Sequence, residues 1–205
     1  RSGSFIIVLL VLLQASFSLA GQKPATGSYR KKVYTIPFLL TEYNNISIQA
    51  ILNGSDTVHL MFHTAANAVA ITAETIKRLN SIRFNDSTTT VKSWGSSSNS
   101  SRLSAINRLQ IGELSWDSVE VWEDINSGQH TDGKFGINLF AGKIVEIDFD
   151  QQVIRLHTSL PKKARKYQQL RVENNDDLLF INGVCNTGDS LLTHSFLVHS
   201  GYSGA

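Results

Sequence analysis

Val58-His59-Leu60-Met61-Phe62-His63-Thr64-Ala65-Ala66 has a counterpart in Ser195-Phe196-Leu197-Val198-His199-Ser200-Gly201-Tyr202-Ser203. Each is an apolar, strand-like run that enters His-Thr or His-Ser and then small residues. The two histidines stand 136 positions apart, a period that suits a duplicated lobe rather than a short solenoid repeat.

Working outward from the first segment, Ile46, Ile48, Ala50 and Leu52 alternate with Asn45, Ser47, Gln49 and Ile51. Asn53-Gly54 then separates this run from Val58, Leu60 and Phe62, which predicts a β-hairpin with a type I′ turn. Thr72 precedes Ala73-Glu74-Thr75-Ile76-Lys77-Arg78-Leu79 and is placed to cap a short helix with Glu74 in its first turn and basic residues at its end. The polar stretch Trp94 to Ser101 reads as the tip of a hairpin. Strands are predicted around Ser118 to Trp122, over Val145 to Phe149 and over Val153 to Leu156, the last two joined by Asp150-Gln151-Gln152. A mainly β protein with one short helix follows. Pro161 and the basic cluster Lys162 to Lys166 mark a solvated linker, beyond which Leu178 to Ile181 and Phe196 to Val198 are strand-like again.

At this level of detail the sequence resembles the aspartic proteases of the pepsin and retropepsin type, whose lobes each carry apolar-apolar-Asp-Thr/Ser-Gly on a loop after a strand. His63-Thr64-Ala65 and His199-Ser200-Gly201 stand where those triplets would be. Lys134-Phe135-Gly136-Ile137-Asn138-Leu139-Phe140 is similar to the apolar pair ending in glycine that such lobes set beside the active loop, and Val145 to Leu156 is similar to their closing hairpin. The resemblance implies an acid-protease β-barrel lobe over 21–160 and the start of a second, incomplete lobe over 161–205, the chain being a fragment. It also implies a flap carrying Trp94, Gly95 and Ser96 over the substrate, with Thr64, Ser200, Gly201 and Gly136 as structural loop residues. Trp94, Trp116 and Trp122 are expected in core or flap packing rather than as ligand platforms.

The family's reaction needs two carboxylates sharing one proton. Here both of the family's Asp positions, the catalytic ones, hold histidine, and Ala65 replaces a glycine. Two imidazoliums at about 4 Å would repel by roughly 4 kcal/mol at an effective dielectric near 20, so at neutral pH at most one should be charged. Each ring also presents its nitrogen at a different reach and angle from a carboxylate oxygen, and reaction geometry tolerates little displacement. The leading expectation is a pseudoprotease whose cleft still holds an extended peptide or protein segment. Alternatives are an active aspartyl-type peptidase or a variant of one, a metal site built on His63 and His199, and histidines that are merely hydrogen-bonded loop residues. His59, His130, His157 and His194 supply no recognisable ligand spacing, so no metal and no cofactor are assigned.

The remaining features set bounds. Phe5 to Leu13 is an apolar run followed by Ser16, Ser18 and Ala20, which predicts a signal peptide over 1–20 and a secreted or periplasmic protein without a stable membrane span. Lys and Arg number 19 against 17 acids, a balance that offers no electrostatic reason to propose nucleic acid. Cys185 is the single cysteine, expected as a small buried thiol. Asn45, Asn53, Asn85 and Asn99 open Asn-x-Ser sequons. Oligomeric state is not legible.

Overall fold

The computed structural model describes residues 32–85, 88–91, 99–124, 130–175 and 178–201. Residues 1–20, read above as a signal peptide, Trp94, Gly95 and Ser96, expected in a flap, and Tyr202 and Ser203 lie outside them. Among the described residues no helix is long and apolar enough to cross a membrane.

The protein is mainly β. The strands are β1 (Val33–Pro37), β2 (Leu39–Leu40), β3 (Ile46–Leu52), β4 (Asp56–Phe62), β5 (Val69–Thr72), β6 (Thr88–Val91), β7 (Asn99–Ile111) and β8 (Leu114–Asp124). They continue with β9 (Gly133–Phe135), β10 (Ile144–Asp148), β11 (Val153–His157), β12 (Val172–Asn175), β13 (Leu178–Asn186) and β14 (Leu191–Leu197). The single described α-helix, α1 (Ala73–Ile76), follows β5 directly.

One large sheet runs β2-β3-β4-β9-β5-β8-β7-β6, and a further pairing of β3 with β7 closes six of its strands into a barrel. β7 pairs with β3 at Leu109 and Gln110 as well as with β8, against which its register shifts on either side of Asn107. That buried amide donates to the carbonyls of Ser104 and Val119 at 3.0 and 3.1 Å, which satisfies its nitrogen at the irregularity. The Asn53 amide donates to the Asn107 side chain, tying the β3–β4 turn to the same point.

Alternation on β3 and β4 fills the barrel: Ile48, Leu52, Val58, Leu60 and Phe62 are fully buried, with Phe135, Leu109 and Ile111 from the facing strands. Phe62, Phe135 and Phe140 form a tilted aromatic cluster directly beneath the His63 loop. Two smaller antiparallel sheets, β1-β11-β10 and β12-β13-β14, complete the architecture.

Several sequence expectations need adjustment. Asn53 and Gly54 both have positive φ, as a type I′ turn requires, but Ser55 is an extra loop residue and Leu52 pairs with Asp56. The Thr72 cap forms, accepting from the Thr75 N–H at 3.2 Å, yet the helix is a single turn. Lys77 and Arg78 lie beyond it and reach Glu74 and Asp132 instead. The linker cluster Lys162–Lys166 is a 3-10 turn that sends Lys163 to Glu146 at 2.6 Å. Cys185 is exposed rather than buried, because β12–β14 leaves most of its side chains open. Asn45 is buried inside the fold, whatever its sequon offers.

Candidate active site

β4 carries the chain from the barrel core into the first histidine loop. The His63 N–H donates to the Phe135 carbonyl of β9 at 2.9 Å, and the Ala66 N–H returns to the His63 carbonyl at 3.0 Å. β9 therefore sits between β4, to which it is parallel, and β5, to which it is antiparallel, while the His63 loop bridges those two flanking strands. This arrangement demands close backbone approach. A Cβ on Gly136 would fall 2.6 Å from the Ala66 carbonyl carbon and nearer still to its oxygen.

β14 delivers the second histidine loop, anchored where the Val198 N–H donates to the Leu179 carbonyl at 2.8 Å. The two loops then exchange hydrogen bonds reciprocally. The Thr64 hydroxyl donates to the Val198 carbonyl at 2.6 Å and accepts from the Ser200 N–H at 3.0 Å. The Ser200 hydroxyl donates to the Phe62 carbonyl at 2.7 Å and accepts from the Thr64 N–H at 3.0 Å. Each hydroxyl thus bonds the carbonyl two residues before its counterpart, a local two-fold relation that matches the duplicated sequence.

That exchange brings the His63 and His199 rings together edge to face, with ring centroids 4.5 Å apart and planes inclined at 62°. Gly201 makes room for them: a Cβ there would lie 2.8 Å from His63 Nε2 and closer to Cδ2. Burial, then the neighbouring His199 and then Lys134, push the His63 imidazole down to about 4. Burial, with Lys134 adding to it, also lowers His199, although that residue remains largely exposed. Both rings are accordingly neutral at pH 7, each with one donor and one acceptor nitrogen. His63 Nδ1 is buried and has no hydrogen-bond partner among the described residues.

The pair opens into a cleft of about 420 Å³. Ala65, Ala66 and Ala70 line one part, Leu178 and Leu197 another, and Trp122 with the charged residues of β8 and β9 a third. Glu123 is held bidentately by Arg102 at 2.6 and 2.8 Å, and Asp124 lies 3.1 Å from Lys134. Those two carboxylates are thus committed to cations. Trp122 lines the cleft instead of filling the core, whereas Trp116 packs against Phe140 beneath.

The structure brings together His63, Thr64, His199, Ser200 and Gly201, with Gly136 supporting the first loop. Lys134, Asp124 and the Arg102–Glu123 pair are site residues that the sequence reading missed. Their only trace in the sequence was charge on otherwise strand-like segments, which register alone could place in the cleft. A second groove, of about 490 Å³ along β10, shares no residue with this site. His59, His130 and His194 are exposed, and His157 pairs with Glu146 at 2.9 Å, so none joins the pair. Among the described residues no three His, Cys, Asp or Glu side chains converge as a metal site.

Residues 48–139 match a family model described as aspartyl protease. The matched stretch runs from β3 through the His63 loop to the turn after Gly136, and supports an aspartic-protease relationship for that part of the chain. A crystal structure of a retropepsin-like aspartic protease from Rickettsia conorii aligns with 62% of this chain and 92% of its own, at 14% identity and a TM-score of 0.41. No curated protein matches the chain.

Proposed function

We propose that this chain is an aspartic-protease relative that binds an extended peptide segment in its cleft without hydrolysing it. One observation carries the reading: the reciprocal Thr64–Ser200 exchange joins two duplicated loops in the manner of a catalytic pair, and the groups it aligns are imidazoles. Peptide hydrolysis of the aspartic type uses one carboxylate as base toward water and its protonated partner as acid toward the carbonyl oxygen. Two neutral imidazoles in contact hold no shared acidic proton, and a water seated between carboxylate oxygens has no equivalent seat between rings 4.5 Å apart. Binding makes fewer demands. An extended segment needs exposed backbone groups and pockets for alternate side chains, and the cleft supplies small apolar walls and a floor whose charges are paired.

The reading is tested with a mixed peptide library across pH 3 to 8, comparing this chain with the double variant His63→Asp, His199→Asp. The expected outcome is an inert parent that binds peptides insensitively to chelators, and a double variant that cuts. Cleavage by the parent would overturn the proposal and call for an imidazole-based mechanism.

A further inference from the structure

We infer that the His63–His199 contact is a pH-operated latch between the barrel and the β12–β14 sheet, closed when both rings are neutral and released when they gain protons. Release of a bound peptide on acidification rests on the peptide-binding reading above; the latch itself does not.

The geometry supplies the mechanism. The two segments meet through four short hydrogen bonds that are all neutral and insensitive to pH between 4 and 8. Directly beside them sit the two imidazoles, whose ring contact at 4.5 Å tolerates one charge poorly and two worse. The charged groups sharing their cleft come from three strands: Lys134 on β9, Glu123 and Asp124 on β8, and Arg102 on β7. Each carboxylate is bound to a cation, so none is left uncommitted to receive an imidazolium. Lys134 opposes protonation of both rings. His63 cannot turn away within the closed state, since Gly201 backs its ring and its Nδ1 is sealed from solvent.

Protonation therefore proceeds in order. The more exposed His199 takes the first proton, which raises the cost of the second on His63. His63 regains an ordinary affinity for protons only when the junction opens and water reaches it. With about 4 in the closed state and 6.5 in the open one, the closing equilibrium weakens about 30-fold between pH 7.5 and pH 5 from His63 alone. Closure is strongest at neutral pH and weakens as pH falls. This direction is opposite to that of a carboxylate pair, which functions in acid.

The test is amide hydrogen exchange of the full chain, resolved by NMR at Thr64 and Ser200 and referred to intrinsic rates at each pH. Binding of a fluorescently labelled tryptic digest of casein is measured in parallel. Protection at both amides should fall about 30-fold from pH 7.5 to 5 in the parent. The fall should be clearly smaller in His63→Gln, where His199 alone still titrates, and protection should be absent at every pH in Thr64→Val, which marks the open state. Flat protection in the parent, or an equal fall in His63→Gln, overturns the latch. If protection falls as stated and no peptide binds at any pH, the latch holds and the peptide-binding reading fails. If peptides bind equally at all pH values over flat protection, the latch fails and that reading survives.

Discussion

Gly201 and His63 occupy what is in effect one space. The second lobe-like segment yields a side chain so that the first can keep an aromatic ring at the junction. Gly201→Ala should therefore destabilise by about 1–3 kcal/mol, the range for overfilling a packed site, as read by denaturant unfolding. The same substitution in a His63→Ala background should cost distinctly less, because the colliding ring is gone, and an equal cost in both backgrounds would sever the coupling argued here. At this scale the sequence was informative about identity, and the resemblance implied that the two histidines face each other and that the Thr64 and Ser200 hydroxyls bond across to the opposite loop. The paired His-hydroxyl strings could be read directly, and the resemblance named Thr64 and Ser200. That each hydroxyl both donates and accepts across the junction depends on loop geometry that no residue spacing encodes. Lys134 was hidden inside a stretch read for its glycine and apolar residues.

Among the elements, β9 is the least conspicuous and the most constrained. It is three residues long, Gly133-Lys134-Phe135, and is flanked on both sides by strands that the His63 loop joins. A Cβ on Gly133 would stand 2.9 Å from the Ile71 Cα and within 3.0 Å of the Ala70 carbonyl carbon, and both neighbours are backbone that cannot swing aside. Gly133→Ala should cost about 3 kcal/mol or more, at the upper end of overpacking, against well under 1 kcal/mol for alanine at exposed Ile106. Equilibrium unfolding in urea distinguishes the two. The hairpins β3–β4 and β10–β11 were legible because alternation and turn residues declare themselves locally. β9 was not, since a three-residue strand has no period, and its partners lie some seventy residues away in the chain. β12 escaped for a similar reason, its Val172-Glu173-Asn174-Asn175 being polar enough to pass for linker.

For the molecule as a whole, acid acts in two windows. His63 is held below its ordinary 6.5, at about 4, so the unfolded chain binds a proton that the folded chain refuses, and stability declines as pH falls from 6.5 toward 4. A second decline sets in across the carboxylate range, where Asp56, Glu123 and Glu146 are also held below their ordinary values, and one contributor is Asp132. Burial alone would raise its carboxyl, but hydrogen bonds from Arg78, the His59 N–H and the Thr75 hydroxyl outweigh that and keep it low. Its contribution is present above the ordinary carboxylate range and is lost as pH drops through its lowered value. Calorimetric midpoints across pH 2 to 8 should show both limbs, with Asp132→Asn making the lower limb shallower and leaving the upper one. An unchanged lower limb would show that Asp132 does not contribute to it. The closed barrel was anticipated as a fold class from patterning and resemblance. Its closure pairs Ile51 of β3 with Gln110 of β7 and Leu52 with Leu109, a long-range register that sequence patterning does not reveal.

The Thr64–Ser200 exchange also orders events in time, since it joins positions 136 residues apart. At 5–20 residues per second, a ribosome needs roughly 7 to 27 s to travel that distance. The last barrel strand, β9, ends at Phe135 and the aromatic cluster is complete only with Phe140, so both precede Ser200 by about 60 residues, roughly 3 to 12 s of synthesis. For that shorter interval the His63 loop is present without the hydroxyl that caps it in the finished chain.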